Sequence, residues 1–124
     1  MPNLGAHSTD AGNTAAPVML GLSYYLGRGV KQDYAESVRW YRKAADAGNA
    51  SGQYNLGLAY ANGEGVPQNY VIAHMWLNLS SSNSTGLGDE KDERAKVRDE
   101  IAWKMTTQQI AEAQRLAAEW KPKR

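Results

Sequence analysis

The chain has 124 residues, which is enough for one modest domain with a small core. Its formal net charge is +1 and its isoelectric point is near 8.0, so charge gives no reason to expect a nucleic acid or a membrane surface as its partner. No cysteine is present, which excludes disulfides and thiolate metal sites, and no apolar run reaches the roughly 18 residues of a transmembrane helix.

The N-terminal segment, residues 1–13, is rich in Pro, Gly, Ser and Asn and has no helical period, so we predict that it is flexible. It lacks the basic and apolar regions of a signal peptide. The sequence leaves the cellular compartment of the protein undetermined. The protein is cytoplasmic, or it is periplasmic or secreted if a signal peptide was removed. Residues 10–13 repeat residues 46–49, so the chain starts at a repeat boundary. Either it is a piece of a longer array, which we favour, or residues 1–13 fold over the first helices.

An internal repeat with a step of 36 residues follows this segment. Residues 11–46 and 47–82 align without a gap and share 13 identical positions. A period of this length indicates a helical solenoid, in which each unit buries its apolar face only against a neighbour. The identical pairs are Ala11/Ala47, Gly12/Gly48, Asn13/Asn49, Leu20/Leu56, Gly21/Gly57, Leu22/Leu58, Tyr24/Tyr60, Gly27/Gly63, Gly29/Gly65, Val30/Val66, Gln32/Gln68, Tyr34/Tyr70 and Trp40/Trp76.

Each repeat has the pattern of two helices joined by a glycine-containing turn. Gly63 is expected to end a helix in the left-handed conformation, and Asn69 is expected to cap the next one. Asp33 is the equivalent cap in the first repeat, and Glu36 stands where it would return a reciprocal bond to Asp33. The apolar periodicity predicts helices near 14–26, 34–47, 50–62 and 70–81.

Two glycines, Gly21 and Gly57, lie inside predicted helices at equivalent positions. Glycine costs about 0.5–1 kcal/mol relative to alanine there, so its recurrence predicts that two helices approach too closely for a side chain. Trp40 and Trp76 are also equivalent, and we expect them to pack between adjacent helices with their indole N–H groups bonded to backbone carbonyls.

The last predicted helix of the second repeat has a broad apolar stripe. Its polar residues offer little chemistry. His74 is expected to be exposed or half-buried, and the serines of residues 80–82 are read as a helix end that passes into a loop, because no Gly-x-Ser-x-Gly turn surrounds them. Since neither His74 nor His7 has a metal ligand or a catalytic partner at a suitable spacing, we predict no catalytic residue, no metal and no cofactor. The stripe consists of Val71, Ile72, Met75, Trp76 and Leu79.

The remaining third of the chain has a different composition. Of residues 83–124, 17 are charged, against 10 of the first 82. A loop rich in Ser, Gly and Asn is followed by a predicted helix from a cap at Asp89 to about Lys104. Thr106 and Gln109 form a capping box for a final helix, and Pro122 ends it. We predict a C-terminal capping helix pair, residues 83–124, that covers the end of the solenoid.

The repeated residues resemble the Sel1-like repeat family of bacterial proteins, which is related to tetratricopeptide repeats. The resemblance implies an all-α fold, a right-handed α–α superhelix or α-solenoid of three antiparallel helix pairs, of which the last is a divergent cap. It covers two repeats, about 11–46 and 47–82, while Ser80 and Ser81 replace the paired alanines of the first copy. It rests on Leu20-Gly21, Tyr24, Gly27, Gly29-Val30, Asp33, Tyr34-Ala35, Trp40-Tyr41 and Lys43-Ala44-Ala45, and on Leu56-Gly57, Tyr60, Gly63, Gly65-Val66, Tyr70 and Trp76 in the second copy.

The resemblance further implies a protein–protein interaction module whose first helices line a concave surface that binds a protein or peptide. Patterning alone leaves open whether these residues lie in the groove or in the core. The groove candidates are Val18, Leu22, Tyr25 and Leu26 in the first repeat and Ser51, Tyr54, Leu58, Ala61 and Asn62 in the second.

Two other functions remain open at this stage. The chain could be a self-associating structural segment of a longer array, which would form a homo-oligomer through its uncapped N-terminal repeat face. It could also be a hydrolase that acts on cell-wall or β-lactam substrates, because some cysteine-rich relatives with this repeat are associated with that chemistry. The chain lacks their cysteines, so we predict that it is not an enzyme.

Overall fold

The computed structural model describes residues 15–83 and 88–123, with the backbone alone for residues 88–90. These residues form α-helices and no strand, which confirms the predicted all-α solenoid of three helix pairs. The predicted flexible segment 1–13 lies outside the described residues. The helices are α1 (Ala15–Leu26), α2 (Tyr34–Asp46), α3 (Ala50–Asn62), α4 (Tyr70–Asn83), α5 (Gly88–Ala102) and α6 (Thr107–Glu119).

The repeated glycines and glutamines end the first helix of each repeat in the same way. Gly27 and Gly63 adopt φ angles of 72° and 69°, the left-handed conformation that glycine reaches without strain. The side-chain amides of Gln32 and Gln68 then donate to backbone carbonyls in the last turn of α1 and α3, at 2.8 and 2.9 Å. Identical residues therefore produce identical helix ends, which confirms the predicted stop at Gly63.

The second helices begin at the predicted caps. The carboxylate of Asp33 accepts from the Glu36 amide at 3.1 Å, and Asn69 caps α4 in the same way. The prediction that the Glu36 side chain returns a hydrogen bond to the backbone of Asp33 is wrong. The backbone N–H of Asp33 donates to the carbonyl of Tyr24 at 2.9 Å, and the Glu36 carboxylate accepts from Arg39 instead.

The C-terminal helices differ slightly from their predicted bounds. α5 begins at Gly88, one residue before the predicted cap Asp89, and it ends at Ala102 instead of near Lys104. The capping box of α6 is present in full, with the Thr106 hydroxyl accepting from the Gln109 amide at 3.0 Å and the Gln109 side chain accepting from the Thr106 amide at 2.8 Å.

The glycines inside α1 and α3 mark close helix contacts, as predicted. A Cβ atom on Gly21 would lie 2.6 Å from two ring carbons of Tyr41 on α2, and one on Gly57 would lie 2.9 Å from Cγ of Leu77 on α4. Both distances are shorter than a carbon–carbon contact allows. Glycine is required because each first helix packs directly onto the second helix of its own repeat.

The main core runs through both repeats and reaches the last helix. Leu56 of α3 is fully buried among residues of α2 and α4, and Trp76 packs edge-on against Trp120 with the ring centroids 6.1 Å apart. Trp40 is half-buried, and its indole N–H has no partner among the described residues, so the expected bond to a carbonyl is wrong. The buried members of this core are Val38, Tyr41, Ala45, Leu56, Ala59, Trp76, Leu79 and Ala117.

The end of α4 corrects the expectation of a loop at residues 80–82. The helix continues to Asn83, and Ser80 and Ser81 are buried. Their positions are equivalent to those of Ala44 and Ala45, which are also fully buried. The Ser80 hydroxyl donates to the carbonyl of Ala50 at 2.6 Å. Serine fits this packed position because it is nearly as small as alanine and because its hydroxyl finds a partner.

The buried face of α4 is also rotated from the predicted stripe. Val71, Ile72 and Met75 are half-buried, whereas Ala73 and Leu77 are fully buried. The prediction missed this face because alanines and serines, which look neutral in a sequence, mark it. The residues of α4 classed as buried are Ala73, His74, Trp76, Leu77, Leu79, Ser80 and Ser81.

The prediction that His74 is exposed or half-buried is wrong. The side chain is 3% exposed, and its Nδ1 atom has no hydrogen-bond partner among the described residues. Burial lowers the pKa of His74, and the neighbouring charge of Arg98 lowers it further, while Asp99 opposes that effect. His74 is therefore a core residue held in its neutral form.

Candidate functional site

The two first helices of the repeats leave a cleft between them, which we call the α1–α3 cleft. It has a volume of about 110 Å³. Residues of α1 and α3, with Tyr34 at the start of α2, form its walls. Further residues of α2 and Ala59 of α3 form its floor, and Glu64, in the turn after α3, completes the lining. The described lining residues are Leu22, Tyr25, Tyr34, Ser37, Val38, Tyr41, Asn55, Leu58, Ala59, Asn62 and Glu64.

The floor of the α1–α3 cleft is apolar and rigid. Val38, Tyr41 and Ala59 are 5%, 4% and 6% exposed and belong to the main core. Ser37 satisfies its hydroxyl within the protein, where it donates to the carbonyl of Gly21 at 2.8 Å. Since the floor is part of the packed core, the cleft is formed before any ligand arrives.

The wall on the α1 side is aromatic. The rings of Tyr25 and Tyr34 lie 5.2 Å apart at an angle of 31°. The Tyr25 hydroxyl donates to the carboxylate of Glu64 at 3.1 Å, which links the first repeat to the turn of the second. Burial raises the pKa of Tyr25, and the hydrogen bond to the negatively charged Glu64 raises it further. The phenol is therefore protonated at neutral pH and acts as a donor.

The α3 side supplies the polar groups. Asn55, Leu58 and Asn62 follow one another at spacings of three and four residues, which places them on one stripe of the helix. Asn55 and Leu58 are half-buried and Asn62 is exposed. The α1–α3 cleft thus combines an apolar floor with an amide-bearing wall.

The structure brings together four of the nine groove candidates. Leu22, Tyr25, Leu58 and Asn62 line the α1–α3 cleft. Val18 is half-buried elsewhere on α1, and Leu26 is 47% exposed at the end of α1; neither lines the cleft.

The other three candidates face α5. The Arg94 guanidinium lies 5.5 Å from the centre of the Tyr54 ring, and it donates to the Ser51 hydroxyl at 3.4 Å. Ala61 packs against a smaller apolar cluster formed by Ala73 and Leu77 of α4 and Ile101 of α5. Burial raises the pKa of Tyr54, as do Glu93 and Glu100, against the effect of Arg94. α5 therefore packs beside Tyr54 and Ala61, and it contacts Ser51, which stays exposed.

Sequence reasoning missed the floor residues on α2 and the polar residues Asn55 and Glu64. The prediction considered first helices alone, so Tyr34, Val38 and Tyr41 were not candidates. One signal was available on α3. Asn55, Leu58 and Asn62 form a stripe that shares Leu58 with the candidates Ser51, Tyr54 and Leu58, and its centre lies only about 40° from theirs around the helix.

The described residues offer little for metal or acid–base chemistry. They contain no group of three or more His, Asp or Glu side chains that could hold a metal ion. His74 does not line the α1–α3 cleft, and Glu64 is the one charged side chain among its described lining residues. In the part of the chain that the structure describes, every helix is too short or too polar to span a bilayer.

Comparisons with known proteins agree with the helical repeat. The family model described as Sel1 repeat matches residues 16–49 and 50–85. A crystal structure of a protective antigen present in uropathogenic Escherichia coli strains, which displays an SLR fold, is similar to this chain with a TM-score of 0.77 and 34% sequence identity. The similarity covers 86% of this chain but 22% of that protein, so the chain spans about a fifth of the longer one. Among curated proteins, none matches the chain significantly.

Proposed function

Because the chain belongs to the Sel1 repeat family, whose fold typically serves as a scaffold for protein–protein interactions, we propose that it binds a segment of a partner protein in the α1–α3 cleft. The observation that carries the proposal is the combination of a rigid apolar floor with a polar rim in the space between the first helices.

The size of the α1–α3 cleft favours a side chain over a small-molecule ligand. Its volume is about 110 Å³, whereas pockets for drug-sized ligands and cofactors have about 300–1,000 Å³. One medium-sized apolar side chain fills such a space. A protein partner can insert that side chain and spread the rest of its contact over the neighbouring surface.

The residue types around the floor also suit protein recognition. Tyr25 and Tyr34 offer large apolar faces with polar tips, and tyrosine is among the residues that dominate binding energy in interfaces. The same lining gives catalysis little to use, since Glu64 is its one charged group and no histidine, lysine or cysteine is among the described lining residues. We therefore propose a binding module and not a hydrolase.

The test is a selection of peptides from a random library displayed on phage, with the immobilised chain as the target. We expect a family of related peptides to be enriched. Titration of the labelled protein with an enriched peptide should shift the backbone amide signals of Leu58 and Asn62 in nuclear magnetic resonance spectra. Those of Trp103, an exposed residue in the turn between α5 and α6 that does not line the cleft, should not move.

Two variants locate the interaction. Tyr25→Ala combined with Asn62→Ala should abolish binding, while Trp103→Ala should leave it unchanged, provided that circular dichroism shows each variant to be folded. Failure to enrich any peptide contradicts the proposal. Binding that survives the double substitution but is lost with Trp103→Ala also contradicts it, because the site would then lie on the C-terminal pair.

A second candidate function, self-association, is favoured by one specific observation. Equivalent residues of the two repeats differ in burial: Leu20 is 41% exposed and Leu56 is fully buried. A Cβ on Gly65 would collide with the backbone of Tyr34, while one on Gly29 would meet nothing within 4 Å. The first repeat covers the second, and no described residue covers the first in the same way.

The first helix pair carries most of the exposed apolar side chains. Six of the seven large apolar side chains that are exposed among the described residues belong to it, and Trp103 is the other; Leu22 and Tyr34 of this set line the α1–α3 cleft. Such a concentration of exposed apolar groups is typical of an interaction surface. These six are Met19, Leu20, Leu22, Leu26, Val30 and Tyr34.

Light scattering over a range of protein concentrations tests self-association. If the open face pairs with a second copy, the mass should rise with concentration, and Leu20→Gln should return it to that of a monomer. Trp103→Gln, which removes an exposed apolar group elsewhere, should not. A constant monomeric mass at all concentrations contradicts this second candidate and leaves the α1–α3 cleft proposal untouched.

A further inference from the structure

The α1–α3 cleft contains a carboxylate that forms no ion pair with a described residue. Glu64 is half-buried, and none of the ion pairs among the described residues includes it. Its described hydrogen bond comes from the hydroxyl of Tyr25 at 3.1 Å. A carboxylate can accept about four hydrogen bonds, so one phenol leaves most of its capacity available.

A cation is the ligand group that fits this carboxylate best. A partly desolvated negative charge attracts a lysine or arginine, and hydrogen bonds between charged groups are about twice as strong as those between neutral groups. Glu64 also borders the apolar floor, because both line the same cleft. A ligand that places an apolar side chain on Val38 and Tyr41 therefore has Glu64 within reach of a nearby basic side chain.

Two amides on α3 provide contacts for a peptide backbone. Among the described residues, no hydrogen bond occupies the side-chain amide of Asn55 or Asn62, although both residues line the α1–α3 cleft. Each amide offers both a donor and an acceptor, which matches the N–H and C=O of a peptide unit. Seven helical residues rise about 10.5 Å, and three residues of extended chain span about 10 Å. The two amides are thus spaced for peptide units three residues apart.

From these features, and on the basis of the function proposed above, we propose that the α1–α3 cleft binds an extended peptide segment in which an apolar residue lies next to, or within three residues of, a lysine or arginine. The apolar side chain occupies the floor, the basic side chain pairs with Glu64, and Asn55 and Asn62 hold the backbone. Charge selects the ligand, and the amides bind it without regard to its sequence.

A charge reversal at Glu64 tests the assignment. Peptides are selected from the same random phage library on the parent chain, on Glu64→Lys and on Glu100→Lys, which makes the same charge change at an exposed position of α5. We expect the parent and Glu100→Lys to enrich peptides with an apolar and a basic residue close together. Glu64→Lys should enrich acidic residues in place of the basic ones.

Affinity measurements on a synthetic peptide from the parent selection complete the test. Glu64→Gln keeps the size of the side chain and a possible bond to Tyr25, and it should weaken the Kd for the basic peptide about tenfold or more. The same variant should not weaken binding of a version of the peptide in which glutamine replaces the basic residue. Asn55→Ala and Asn62→Ala should weaken both peptides by the same factor.

Three results overturn the inference. Parent selections without enrichment of basic residues would show that the α1–α3 cleft binds peptides of another chemistry, and the proposed function would stand. Enrichment of basic residues that persists on a folded Glu64→Lys variant would place the charge recognition elsewhere. If the parent enriched no peptide at all, both the proposed function and the inference that rests on it would fail.

Discussion

Leu20 and Leu56 occupy the same position in the two repeats, and the structure gives them opposite surroundings. Leu56 lies at the centre of the main core, where the second helix of the first repeat covers it, while Leu20 is 41% exposed. The burial of a repeat residue is therefore decided by the repeat before it along the chain.

Alanine substitutions at these two positions should differ in their effect on stability. Leu56→Ala should lower the free energy of unfolding by about 2–5 kcal/mol, because it removes a fully buried side chain and leaves a cavity. Leu20→Ala should lower it by about 1 kcal/mol or less. Urea denaturation followed by circular dichroism measures both, and each variant is the control for the other. Equal losses would mean that Leu20 is covered in solution.

The glycine at position 21 should not tolerate a methyl group. Gly21→Ala improves the intrinsic helix propensity by about 0.5–1 kcal/mol, but its Cβ would lie 2.6 Å from the ring of the buried Tyr41. Forcing a group into a packed site costs about 1–3 kcal/mol, so the variant should be less stable than the parent. Thermal unfolding gives the sign of the change.

Ser23→Ala, on the same helix, is the matched control for Gly21→Ala. Ser23 donates only to a carbonyl of its own helix and is half-buried, so alanine should be neutral or slightly stabilising there. If Gly21→Ala raised the melting temperature as Ser23→Ala does, α1 and α2 would be further apart in solution than the structure places them.

His74 should make the fold sensitive to mild acid. Burial lowers its pKa in the folded state below the ordinary value of 6.5, so the unfolded chain takes up the proton first as the pH falls. Stability should therefore be complete above pH 6.5 and should decrease as the pH falls from there towards the lowered pKa. Urea denaturation at about pH 7.5 and about pH 5.5 measures the difference.

Replacing His74 by leucine should remove this dependence. Because Nδ1 is buried and has no hydrogen-bond partner among the residues that the structure describes, an apolar residue of similar volume should be neutral or stabilising at neutral pH. His7→Gln removes the other histidine and serves as the control. If the acid sensitivity remained in His74→Leu and disappeared in His7→Gln, the buried histidine would not be its origin.

The repeat pattern predicted most of the fold because its residues act locally. Gly63, Asn69 and the glycine at position 57 each impose one conformation or one close contact, and those follow from residue type alone. The burial of Ser81 and His74 did not follow, since both lie beside α5, which packs on α4 from a divergent part of the chain. Their neighbours, not their own chemistry, decide their environment.

The candidate site was predicted only in part for a similar reason. Several residues of α3 are suitable, and the sequence does not show which of them α5 contacts. Arg94 of α5 contacts Ser51 and Tyr54, while Asn55 and Asn62 line the α1–α3 cleft. Glu64 was not among the candidates, because a turn residue gains a role in a cleft only through the neighbouring repeat.

The bond between Tyr25 and Glu64 should contribute measurably to the packing of the two repeats. Tyr25→Phe removes the hydroxyl that donates at 3.1 Å and keeps the ring against Tyr34, so the loss of stability should be about 0.5–1.5 kcal/mol. Glu64→Gln should cost less, because an amide oxygen still accepts from the phenol. The free energies of unfolding come from urea denaturation at neutral pH.

The double variant Tyr25→Phe/Glu64→Gln separates the bond from other effects of each change. If the two side chains interact directly, the losses should not add, and the double variant should be about as stable as Tyr25→Phe alone.

The same variants report on ligand binding. Tyr25→Phe frees the Glu64 carboxylate for a cation, so it should lower the Kd for a basic peptide even though it destabilises the fold. Strictly additive losses, together with an unchanged Kd, would show that the phenol and the carboxylate are not bonded in solution.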